Sequence, residues 1–80
     1  MPYHFSLKRN IHMYNHLIKC TCGENTYEAV CEDEAYGNGI LFWLDDFGLP
    51  IEDKEIVEKE LKEWSKSQGF KCILRQGNRC

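Results

Sequence analysis

Apolar and polar positions change rhythm along this chain. In "YHFSL", "YNHLIKCTC" and "TYEAVCEDE" they alternate, the period of a half-buried strand. "ILFWL" (residues 40–44) is apolar throughout, as in a strand buried on both faces. From Leu49 to Gly69 the rhythm becomes helical, with Ile56, Val57, Leu61 and Trp64 on one stripe. Asp53 is placed to cap this helix and Gly69 to end it. Glu55–Lys59 and Glu58–Lys62 are i,i+4 pairs on its polar face. "FKCILR" then alternates again. The expected fold is α+β: an antiparallel sheet of four or five strands in the order β-β-β-α-β, with one helix packed on one face. The N-terminal "YHFSL" is either the fifth strand or a cover over the outer sheet face, where large side chains need shielding whichever way "ILFWL" faces: Leu41 and Trp43 in one register, Ile40, Phe42 and Leu44 in the other. Eighty residues make a single domain, 1–80, with a small core.

The turn-like "GEN" joins the first two long strands into a hairpin. Pairing Cys22 with Tyr27 sets Cys20 across from Ala29 and Ile18 across from Cys31. One face then gathers Ile18, Cys20, Cys22, Tyr27, Ala29 and Cys31, while Glu28, Val30, Glu32 and Glu34 take the other. Slipping by one residue would bury glutamates, so this register is preferred. Cys20, Cys22, Cys31 and Cys72 are therefore expected beneath the helix as small apolar core residues, with no cofactor. The alternative is a zinc site built from the same four. Its spacing, C-x-C-x8-C followed by a distant fourth cysteine, lacks the usual C-x2-C knuckle. There is also no C-x-x-C redox motif. Cys80, at the end, is expected to be exposed.

Charge adds a second pattern. The net charge of −3 conceals a segregation: nine acidic residues and no lysine or arginine lie between Cys20 and Asp53. Lys8, Arg9 and Lys19 precede this stretch, and Lys66, Lys71, Arg75 and Arg79 follow the helix core. A carboxylate-rich surface repels nucleic acid and attracts basic proteins. Nothing approaches the roughly 20 apolar residues of a membrane helix. The opening "MPYHFSLKRN" lacks an apolar signal core, so a cytoplasmic residence is expected.

Candidate catalytic chemistry is thin. His4, His12 and His16 carry no H-E-x-x-H pattern and are expected at the surface or an edge. "YGNG" reads as a turn, since it lacks the lysine and helix start of a phosphate loop. Asp45 and Asp46 have no regularly spaced oxygen ligands to complete a cation site. No Ser/His/Asp or Cys/His constellation is recognisable, and the chain is expected not to be an enzyme.

These readings converge on a small acidic binding protein that docks on a basic protein partner. Glu28, Glu32, Asp33, Glu34, Asp45 and Asp46 would supply the charge and Trp43 an apolar anchor. Carboxylates on a strand can stand in for phosphates, so a nucleic-acid enzyme such as a restriction or CRISPR nuclease is a fitting partner, in the style of small viral or mobile-element inhibitors. Direct nucleic-acid binding is not expected. The alternatives are the zinc-stabilised module, binding protein or nucleic acid through Lys8, Arg9, Lys71, Arg75 and Arg79, and an antitoxin-like oligomer pairing through a sheet edge or face.

Overall fold

In a computed structural model that describes residues 3–79, five strands form one sheet in chain order. They are β1 (His4–His12), β2 (Asn15–Cys22), β3 (Asn25–Asp33), β4 (Gly39–Trp43) and β5 (Lys71–Arg75). A 3-10 turn (Leu44–Phe47) and another (Ile51–Asp53) lead into helix α1 (Lys54–Gln68), which packs on one face. This is the expected α+β order with the N-terminal segment as a true fifth strand. One pairing differs from expectation: β5 runs parallel to β4, whereas the other neighbours are antiparallel. The cause is the helix, a crossover that returns the chain to the end of the sheet where β4 began.

The β2–β3 hairpin is tighter than the sequence suggests. Cys22 pairs with Asn25, Cys20 with Tyr27 and Ile18 with Ala29, two residues away from the expected register. The chain reverses over Gly23 and Glu24, with Gly23 at φ 60°, a left-handed conformation that glycine adopts freely. Because the offset is even, every side chain keeps its expected face. Ile18, Cys20, Cys31, Ile40 and Phe42 meet Val57 and Leu61 of the helix in a fully enclosed core.

The helix stripe is rotated from its expected position. Val57, Glu60, Leu61 and Ser65 face inward, Trp64 is half-buried and Ile56 is exposed. Asp53 stands at the N-cap but makes no side-chain cap bond; its carboxylate instead accepts the Tyr3 hydroxyl at 2.6 Å. Gly69 closes the helix at φ 89°, as expected. Phe5 stacks obliquely on Trp64 at 5.7 Å, and Trp64 meets Phe70 edge-on at 5.8 Å. Phe5 and Leu7 thus extend the helix-side core. The suggested N-terminal cover of the outer face is not formed by them. The C-terminal tail crosses that face instead: Asn78 and Arg79 line a recess with Leu17, Val30 and Asp46.

Candidate functional site

The cysteines answer to packing. Cys20 and Cys31 are fully buried, and Cys22 and Cys72 are partly so. Burial pushes the Cys20 thiol up to about 12, with Cys22 and Glu60 adding to the rise. Burial likewise pushes Cys31 up to about 12 against the pull of Arg9. Cys72 is raised for the same first reason. Strand β4 separates β3 from β5, so Ile40 and Phe42 stand between Cys31 and Cys72. Among the described residues no group of three or more His, Cys, Asp or Glu side chains is placed to hold a metal. Cys80 lies outside the described residues.

Part of the acidic surface is engaged within the fold. Glu28 and Glu32 share the outer face with Val30. Asp33 points to the helix side, and Glu34 turns into the β3–β4 loop to accept the Gly39 N–H at 3.0 Å. Glu28 stands opposite Lys19. Arg79 donates to Asn15 at 2.9 Å, lies 3.6 Å from Glu32, and gives its backbone N–H to Asp46 at 3.1 Å. Asp45 is held by Lys54 and by the Gly77 N–H. The Lys54 hydrogen bond keeps its carboxyl below the usual carboxylate range, against the opposing effect of desolvation. Trp43 is half-buried, just before the 3-10 turn. Glu32, Asp33, Asp45 and Asp46 thus meet cations or backbone donors from other segments of the chain.

His16 corrects another expectation. It is 1% exposed, not at the surface, and it organises the end of the sheet. The Asn10 N–H donates to Nδ1 at 2.8 Å, so the proton of the neutral ring sits on Nε2 and is donated to Asp33 Oδ1, also 2.8 Å away. Arg9 lies 3.9 Å from the same carboxylate oxygen and over the Phe70 ring at 5.6 Å. His4 and His12 are exposed.

Two non-glycine residues flank this network at positive φ: Asn10 at 56° and Met13 at 51°. Asn10 sits where the β1–β2 register breaks between Lys8 and His12. Asparagine tolerates the left-handed region, but methionine does so at a cost of order 1 kcal/mol or more. The strained hairpin presents Ile11, Met13 and Tyr14, which are 42%, 72% and 70% exposed. Tyr36, 91% exposed, occupies the β3–β4 loop at the same end of the sheet. A recess of 350 Å³ runs between the two loops, bordered by Arg9, Tyr14, Asp33, Glu34 and Asn38. The alternation of "KRNIHMYN" conceals this site, because no glycine or proline marks its turn.

The chain matches no family model, no curated protein and no solved structure.

Proposed function

We propose that this chain is a small non-enzymatic binding protein whose partner-facing surface is the Ile11–Tyr14 hairpin tip together with Tyr36. The observation that carries this reading is the exposure of four large side chains at one end of the sheet: Ile11, Met13 and Tyr14 on a hairpin strained at Met13 and braced by buried His16, and Tyr36 on the neighbouring loop. Tyrosine and methionine are favoured contact residues because they offer broad apolar area. Tyr14 and Tyr36 also carry a hydroxyl for hydrogen bonding.

The partner fitting the net charge of −3 is a basic protein, and a nucleic-acid enzyme of the restriction or CRISPR nuclease class meets that description. Glu32 and Asp33 border the tip and remain 36% and 37% exposed, so part of their charge still reaches solvent despite Arg79 and Arg9. Steering by these groups favours association at low salt, with the tyrosines contributing the contact itself.

The test uses a panel of purified restriction and CRISPR nucleases in DNA-cleavage and direct-binding assays at low and moderate salt. The natural chain is compared with a folded Tyr14→Ser/Tyr36→Ser variant. Expected is salt-sensitive inhibition by the natural chain and at least tenfold weaker binding by the variant. Absence of binding across the panel at micromolar concentrations rejects the nuclease class. Equal binding by both chains rejects the hairpin tip.

A further inference from the structure

The β1 edge is a second surface, independent of the hairpin tip. Strand β1 has a neighbour on one side only. The pairing of its backbone follows from the strand beyond. The Asp33 N–H donates to the Tyr14 carbonyl, which makes the even-numbered residues of β2 face β3. The odd-numbered residues of β2 then bond to β1 through His4, Ser6 and Lys8. Consequently Phe5 and Leu7 direct their N–H and C=O groups away from the sheet. Among the described residues, no backbone or side-chain group satisfies them. Such a row is a template for another strand.

Beside this edge, between β1 and α1, lie two adjoining grooves. One, of 440 Å³, is lined by Tyr3, Phe5, Glu63 and Trp64. The other, of 310 Å³, is lined by Phe5, Leu7, Arg9 and Phe70. Phe5 and Trp64 belong to both, so the aromatic floor is continuous. The charges are polarised along it: Glu63 borders the groove at the start of β1, and Arg9 borders it at the far end.

We infer that the occupant of this edge is a second copy of the chain, added antiparallel through β1 about a two-fold axis at Ser6. The regular β1–β2 register runs from His4 to Lys8, and Ser6 is its midpoint. Centring there lets the whole regular stretch overlap with itself. Phe5 of each copy exchanges backbone hydrogen bonds with Leu7 of the other, joining two sheets into one. The same operation carries Arg9 of each copy opposite Tyr3 of its neighbour, beside that neighbour's Glu63. Antiparallel self-pairing thus meets the basic end of one groove with the acidic end of the other, and an isologous contact makes this favourable match twice. Both helices fall on the same side of the joined sheet, where the half-buried Phe5 and Trp64 of the two copies close over one another. On the outer face Ser6 meets Ser6 in a non-hydrogen-bonded pair, and Lys8 meets His4. Both hairpin tips lie beyond the paired segment. The other edge strand, β5, has only five residues.

The full chain is examined by sedimentation across a wide concentration range under reducing conditions. A concentration-dependent mass of two chains is expected. Leu7→Pro removes an outward N–H and blocks strand addition while leaving the β1–β2 ladder intact, so it should be a folded monomer. Ser6→Cys should form an interchain disulfide on mild oxidation, well above the level of the parent chain, because directly opposed Cα atoms lie about 4.5 Å apart in such a pair. Should Leu7→Pro fail to fold, charge reversal decides: Glu63→Arg should weaken dimerisation about tenfold, and Glu63→Arg/Arg9→Glu should restore it. A natural chain monomeric at every concentration overturns the proposal. So does a dimer that persists in folded Leu7→Pro, or one indifferent to both charge variants.

Discussion

Replacing His16 with leucine tests how the end of the sheet is held. The ring is buried, and leucine fills most of its volume, so the loss is chiefly polar. The Asn10 N–H loses its acceptor at 2.8 Å, and Asp33 loses a donor at the same distance. A hydrogen bond to a carboxylate contributes about 1.5–3 kcal/mol; the lower end applies here because water reaches Asp33. The part-buried Asn10 N–H, left without its acceptor, costs about 1 kcal/mol more. The combined expectation is roughly 3 kcal/mol, a large share of the stability of so small a domain. At about 4–8 °C per kcal/mol for a chain of this size, Tm should fall by roughly 12–24 °C. Thermal unfolding followed by circular dichroism at neutral pH measures this directly. Asp33→Asn should cost less, and the double-mutant cycle between the two sites should show a coupling of about 1 kcal/mol. A His16→Leu variant melting within about 2 °C of the natural chain would refute the claim that this ring braces the Asn10 bulge. So would proton-nitrogen spectra placing the ring proton on Nδ1.

Two further predictions rest on packing. Cys20 and Cys31 are raised from 9.0 to about 12, so above pH 9 the unfolded chain releases protons that the folded chain keeps. Stability should therefore fall as pH rises from about 9 towards 12, by about 1.4 kcal/mol per pH unit for each thiol. The denaturant midpoint should drop between pH 8 and 10.5, and that drop should shrink in a Cys20→Ala/Cys31→Ala variant. An unchanged pH dependence in the variant would place the effect elsewhere. Gly39→Ala should destabilise by about 1–3 kcal/mol, because the new Cβ would lie 2.7 Å from both Glu34 Oε1 and Ile73 Cδ1. Urea unfolding checks this, and an unchanged midpoint would show that Glu34 moves aside freely.

The sequence by itself determined the elements and their faces. Alternation from Tyr3 onward and the helical rhythm before Gly69 express local geometry, and they specify which side chains share a surface. For this reason the cysteine face survived a two-residue change of hairpin register: the period of a strand is two, and an even shift preserves it. The helix was legible as an element, whereas its rotation was not, since Ile56 and Glu60 exchange the positions their polarity suggests. Glu60 accepts the Tyr3 N–H at 3.2 Å, a partner far away in the chain. The candidate site was less legible still. The acidic stretch is partly balanced in space: Arg9 reaches Asp33, and Arg79 reaches Glu32 from the far end of the chain. Ion pairing depends on distance in three dimensions, so topology decided which charges remain free. Burial of His16 was decided in the same way. Its alternation placed it on the helix-side face, but only the bulged β1, folded back to offer the Asn10 N–H, and Asp33 from β3 made a polar ring stable there.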